Sequence, residues 1–428
     1  MKKRKLVLKK ELSLFQATLY GAGIILGAGI YVLIGVAAGI AGNALWLAFG
    51  VAALLAFFTG FSYAELSSMY PKDAAEYVYT EHAFKKRWFA FTVQWVMIAA
   101  GVISAATVAL GFANYWTHLF GGSLIFVAAM LITILSVINY IGIKESVQFN
   151  VVSTVIEASG LLLVIFVASL FVSGGNAQPV DFFYAPLGLT SILSASALIF
   201  FAYIGFEEMV NVAEETKNPR KTMPKAVVLS LVISTVLYIL VALSAVAVLG
   251  YEALSESKAP LTSVIERVFP NAGIVMSFIA LFATSNTVLA ILVVVSRMFY
   301  GLACNHSFPK ICSAIGGRNT PYVSIVLVGS AAILTLFFAG IKTIASLTDI
   351  GVFTVYIVVN AALIWLRFKK PKARRAFKSP VNVGKFPVLA FLGLVASALM
   401  ITYLDPTLIL VEIVLIVLGL AVYRIFNK

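Results

Sequence analysis

A chain of 428 residues that is 61% hydrophobic and only 11% charged carries more apolar surface than a water-soluble fold of this size can bury, and its apolar runs reach the ~20 residues that cross a bilayer as a helix. Strand-like alternation is missing, which argues against a β-barrel. The net charge of +13 is scattered over short connections between apolar runs, so it argues for a topology signal and against nucleic acid binding.

The N-terminal "MKKRKLVLKK" is basic. The apolar run behind it is too long for a signal-peptide core and has no convincing cleavage site, so it is expected to be a true span. Twelve spans are expected, at 12–40, 43–69, 88–117, 122–142, 148–173, 190–213, 224–250, 272–302, 322–340, 344–367, 386–404 and 406–425. The connections on one side, with both termini, hold 28 of the 31 lysines and arginines, leaving only Lys258, Arg267 and Lys342 on the other. Basic residues stay in the cytoplasm, so both termini are expected there; the same charges can touch anionic lipid. No soluble domain is expected within 1–428. The outer segment 251–271 is long enough for short helices over the extracellular face, and 367–385 reads as a solvated cytoplasmic connector. Cys304 and Cys312 lie near one cytoplasmic loop and are expected to be reduced. His82, His118 and His306 sit near span ends without partners at metal-ligand spacing, and neither a metal nor a cofactor is expected.

Span one contains "YGAGIILGAGIYV", with glycines at 21, 23, 27 and 29. Each weakens a helix by about 1 kcal/mol relative to alanine. Gly23 and Gly27 fit a small-xxx-small packing stripe; the group fits equally a place where the helix unwinds. Span five contains Glu157, about nine residues or roughly 13 Å from its cytoplasmic end at 1.5 Å per residue. A carboxyl near the midplane is usually functional; the alternative is a structural carboxyl bonded to a neighbouring helix. Span six reads "SALIFFAYIGFEEMVNVAEET", with Gly205 followed by Glu207 and Glu208. One of those carboxyls is expected in a vestibule and the other bracing a neighbour. Glu65, at the end of span two, is expected to pair with a loop base. Glu214, Glu215, Lys217, Arg220 and Lys221 read as an inner loop network, and Asp349 as a residue near the outer mouth.

Spans one and six are five helices apart and run in opposite directions. Interruptions at corresponding places in two oppositely oriented five-helix units point to an inverted-repeat transporter with a midplane site. Unwound backbone cannot face hydrocarbon, so it must face a cavity or ligand. The N-terminal end of a half-helix favours a carboxylate, and freed carbonyls favour an ammonium or a metal cation. An amino acid carries both groups on one carbon.

Four stretches resemble the amino acid–polyamine–organocation family of permeases: "GAGIILGAGIYVL", "YAELSSMYPKDAAEYVY" (63–79), "FFAYIGFEEMVNVAEETKNPRKTMPKA" (200–226) and "TSNTVLAILVVVSRMFYGLA" (284–303). The resemblance implies an all-α membrane fold of twelve helices. Its leucine-transporter-like core pairs five helices (12–173) with an inverted five (190–367), and two accessory helices (386–425) follow. It implies substrate contacts at Ile25, Gly27, Ala28 and Gly29 in span one and at Phe201, Ala202, Ile204 and Gly205 in span six, with Phe201 covering the site from outside. It implies ion coupling at Glu157, where some relatives carry a lysine, and at Thr284. One departure is visible. Relatives place two glycines where Ala74 and Ala75 stand, so this loop is expected to be more helical.

The implied function is secondary active amino acid transport across the plasma membrane by alternating access. Proton symport comes first, with exchange or carriage of cationic amino acids or polyamines as alternatives, and sodium coupling, a channel or a sensor behind these. Nothing in the sequence resembles a catalytic constellation or an ATP site, so an enzyme is not expected and gradients must supply the energy. Oligomeric state is not legible.

Overall fold

A computed structural model describes residues 12–71, 75–141, 147–176, 179–210, 216–304, 308–316 and 320–426. Fifteen α-helices occur among them. They are α1 (Leu14–Leu26), α2 (Ala28–Ala41), α3 (Leu45–Met69), α4 (Ala75–Phe84), α5 (Arg87–Phe120), α6 (Leu124–Ile141), α7 (Val147–Ser173) and α8 (Leu189–Ile199), then α9 (Pro219–Glu256), α10 (Pro260–Val268), α11 (Gly273–Cys304), α12 (Tyr322–Thr335), α13 (Ile341–Lys369), α14 (Val388–Ile401) and α15 (Pro406–Phe426). A two-stranded hairpin, Asn382–Val383 with Phe386–Pro387, is the sole sheet among the described residues.

Nine helical stretches here are long and apolar enough to cross a membrane, the first being Leu14–Met69, and Tyr322–Thr335 and Val388–Ile401 are shorter apolar helices. The number twelve rests on the sequence. Helices α6, α7, α12 and α15 expose large apolar side chains such as Phe126, Phe166, Leu334 and Ile413. That surface fits hydrocarbon and would be untenable in water. Local chemistry sets several helix ends. Ser13 and Gln16 form a reciprocal capping box on α1, and Pro219, Pro260 and Pro406 open α9, α10 and α15, where a missing N–H costs nothing.

The first expected span is two helices, α1 and α2, meeting at Gly27. They lie at the centre, against α9, α7, α8 and α5. Helix α4 begins at Ala75, so the loop after α3 is helical from the second of the two alanines; Ala74 is outside the described residues. Segment 367–385 is less solvated than its composition suggests. Arg367 belongs to α13 and is buried, Ser379 is buried, and both are tied to Glu65 of α3. Helix α10 packs on α2, α7, α9 and α11, in the segment expected to hold short helices. Glu214, Glu215 and His306 lie outside the described residues. Lys217, Arg220 and Lys221 are exposed.

Candidate functional site

At the first break Gly27 takes φ −43°, ψ −143°. Its N–H still bonds Gly23 O at 3.1 Å, and the Ala28 N–H turns sideways to Thr287 Oγ1 of α11 at 3.1 Å. At the second break α8 tightens into a 3-10 turn over Phe200–Tyr203, Ile204 becomes extended, and Gly205 takes φ +127°. Only glycine adopts that conformation without strain.

The two breaks touch. A Cβ on Gly205 would sit 2.5 Å from Ile24 Cγ2 and 3.2 Å from Ile24 backbone, and one on Gly29 would fall inside the Ala202 backbone. Gly21 and Gly23 do something else: a Cβ there would strike Met209 and Ser230, or Thr154. Both meanings of the glycine group therefore hold, with Gly21 and Gly23 closing helix packing and Gly27 and Gly29 at the break.

One side chain joins the breaks. The Tyr238 hydroxyl, from α9, lies within bonding reach of the carbonyls of Ile25 and Ala202. It has a single proton, so it can donate to only one of the two at a time.

Beside the breaks is a cavity of about 60 Å³, room for a few water molecules. Ile25, Ala28, Gly29, Phe201, Ile204 and Gly205 line it, along with Met97, Gly101 and Ser104 of α5, Asn286, Thr287 and Met298 of α11, Thr348 and Val352 of α13, and Glu208. Gly27 and Ala202 are at the breaks but not in its wall. Phe201 is 5% exposed.

Glu157 and Thr284 are also absent from the wall. Glu157 is fully buried; its Oε1 accepts from Asn286 Nδ2 at 3.1 Å and its Oε2 has no partner among the described residues. Its backbone carbonyl accepts from Tyr31 Oη at 2.6 Å. Asn286 does line the cavity, so it connects Glu157 to the space beside the breaks. Thr284 donates to Ala280 O at 2.7 Å and Leu281 O at 3.2 Å within its own helix, whereas Thr287, one turn on, is the hydroxyl that meets the break.

The paired glutamates divide. Glu208 lines the cavity. Glu207 turns back, accepting from Gly205 N–H at 3.0 Å and Tyr356 Oη at 2.8 Å. Asp349 is not at a solvent mouth; it is fully buried in α13, and neither carboxyl oxygen has a partner among the described residues. Tyr238, Asn286 and Thr287 were missed by sequence reasoning. "TSNTV" held a signal for two of them, since three hydroxyls and an amide stand together in an apolar span, but nothing in it says which faces the break.

Comparison with known proteins matches an amino acid permease family model over residues 12–420. The chain is similar to the branched-chain amino acid permease BcaP of Bacillus subtilis (strain 168), 31% identical over 98% of this chain and 94% of that protein. It is similar to a methylthioribose transporter of the same organism, 30% identical over 87% and 84%. It is also similar to human cationic amino acid transporter 4, 27% identical over 85% of this chain and 60% of that protein.

Proposed function

The chain belongs to the amino acid permease family, and from that premise we propose that it is a plasma-membrane transporter, not a catalyst, moving a neutral amino acid by alternating access in symport with protons. The observation that carries this reading is the contact between the two breaks. The first N–H groups of α2 offer partial positive charge to a substrate carboxylate. The carbonyls of Ile25 and Ala202, sharing one tyrosine proton, leave acceptor capacity for an ammonium. Ile25, Ala28 and Gly29 with Phe201, Ile204 and Gly205, which line the cavity, are thus the proposed substrate contacts, with Gly27 and Ala202 shaping the breaks beside them, and Glu157, working through Asn286, is the proposed proton carrier. Thr284 has the weaker claim of the two ion positions, because among the described residues no hydrogen bond links it to a residue that lines the cavity.

The five-plus-five repeat, with both termini cytoplasmic, is part of the proposal. With that orientation Phe201, in the cavity wall, would cover the site from the outside. The side-chain part of the wall is mostly apolar, which supports an aliphatic substrate. Glu208 favours a second reading, a cationic amino acid, and exchange remains the alternative to symport.

The test is thermal shift of purified protein against all amino acids and common polyamines, since a ligand of the folded state raises the melting temperature. A neutral aliphatic amino acid should give the largest shift. Gly29→Ala, whose methyl would collide with Ala202, should lose it even where the protein remains folded. A shift retained in folded Gly29→Ala would remove the breaks as the site.

A further inference from the structure

Behind the second break, away from the cavity wall, lies a second group of buried polar atoms. Glu76, in the first turn of α4, is 1% exposed, and its Oε1 accepts from Tyr63 Oη of α3 at 3.1 Å. Glu207, in the turn after Gly205, is fully buried and accepts from Tyr356 Oη of α13. The Tyr63 and Tyr356 rings lie 5.8 Å apart, and both pack against Phe206, at 5.7 and 5.5 Å. The two carboxyls are therefore held by the hydroxyls of one aromatic cluster.

Neither is satisfied. Among the described residues Glu76 Oε2 and Glu207 Oε1 have no partner, nor do the Tyr79 hydroxyl and Thr80 Oγ1, all buried. Tyr79 packs on Tyr63 at 6.0 Å, and Thr80 lies one turn from Glu76 on the same face of α4. Among the described residues, the titratable groups facing Glu76 are Tyr63 from α3, Tyr79 from α4, Glu207 from the turn and Tyr356 from α13. Neither carboxyl has an ion-pair partner among the described residues.

We propose that Glu76 and Glu207 together hold one proton, in a site separate from Glu157, and that this proton keeps α4 closed against the second break. Two carboxylates in one buried site, with no base between them among the described residues, cannot both ionise cheaply, and the pair titrates as a unit. Burial pushes the Glu76 carboxyl, which lies outside the spans, from 4.5 to about 7. Closure is therefore complete at acid pH, below the ordinary carboxyl value, and is lost as pH rises through about 7. Loss of the proton leaves two charges walled by aromatic rings. Moving α4 away admits water to them and uncovers the turn after Gly205. This site goes beyond the transport reading above and does not depend on it.

The test uses purified full-length protein without substrate. A Thr80→Cys reporter, in a background lacking Cys304 and Cys312, is labelled with a maleimide from about pH 6 to about pH 8. Rates are normalised to an exposed Ser255→Cys reporter to remove the intrinsic reactivity of the thiolate. Normalised labelling should climb above neutrality by up to about tenfold per pH unit, the limit for one proton. Glu76→Gln should hold it low and flat, Glu76→Asp should restore the climb, and Glu157→Gln should leave it in place. A flat profile in the parent, or an undiminished climb in folded Glu76→Gln, overturns the proposal. So does a climb that disappears only in Glu157→Gln, since the proton would then reside there.

Discussion

Glu65 and Glu157 are both carboxyls with no exposed surface, set in helices of apolar sequence, yet their surroundings are opposites. Glu65 is surrounded by donors. Oε2 takes Arg367 Nη2 and the Ser379 N–H, the latter at 2.8 Å, and Oε1 takes Arg375 Nε at 2.9 Å. Two guanidiniums and a backbone amide leave it neither spare capacity nor reason to move. Glu157 has one amide donor, no ion-pair partner among the described residues, and an empty oxygen. A buried carboxyl made only for stability tends toward the first condition, because each unmet oxygen costs free energy. One that must gain and lose a ligand during a cycle has to leave an oxygen open. The difference supports assigning Glu65 to holding the 367–385 segment on α3, and Glu157 to proton carriage.

The largest expected effect breaks the first half of that contrast. Glu65→Ala leaves two nearly buried guanidiniums without a counter-charge, and removing one member of such a group costs about 3–5 kcal/mol. The measurement is melting temperature together with recovery of monodisperse protein. Glu65→Ala protein melting like the parent would mean that the arginines simply relax into water, and the contrast would lose its structural pole.

Glu157→Gln addresses the other half. Its carbonyl oxygen can still accept from Asn286, so stability should change by less than about 1 kcal/mol, but no proton can be released. In proteoliposomes with an imposed pH gradient, the variant should lose gradient-driven accumulation while retaining substrate binding. Accumulation that persists in the variant means Glu157 is not the carrier. Parent protein that needs sodium and ignores the pH gradient makes the carboxyl a cation ligand. Uptake that responds only to internal amino acid makes the protein an exchanger and returns Glu157 to a structural role.

The same contrast shows what sequence can carry. The helices were legible because each span must satisfy its own backbone over about 20 apolar residues. The breaks were legible because glycines, and glycine followed by carboxylates, are costly inside such runs. Glu65 meets a loop base, Arg375, as its sequence position suggests, but its partners stand 302, 310 and 314 residues away, and no local pattern selects Arg367, Arg375 and Ser379 among eight basic residues and their neighbours in 367–385. Tyr238, Asn286 and Thr287 were illegible for a related reason. A single hydroxyl or amide in an apolar helix bonds its own backbone or another helix at little difference in energy, and only the packed structure decides. Thr284 and Thr287, one turn apart, both donate to their own helix, and only Thr287 also accepts from the break.

The smallest expected effect sharpens what Glu65 needs from its partners. Arg375 does two jobs with one planar fork. Nε meets Glu65, while Nη1 and Nη2 reach Leu366 O and Lys370 O at 3.2 Å and Ala373 O at 3.1 Å. It thereby caps the carbonyl end of α13, where a cation is favoured. Lysine in its place keeps the charge but gathers its donors on one atom, so it cannot serve the carboxylate and the helix end together. Arg375→Lys should cost about 1 kcal/mol, seen as a small fall in melting temperature, with transport rate and its pH dependence unchanged. A cost approaching that of Glu65→Ala would show that the fork geometry, rather than the charge, holds the segment to α3. No cost at all would assign the balance of Glu65 to Arg367 alone, and the cluster would reduce to one ion pair with a hydrogen-bonded loop resting on it.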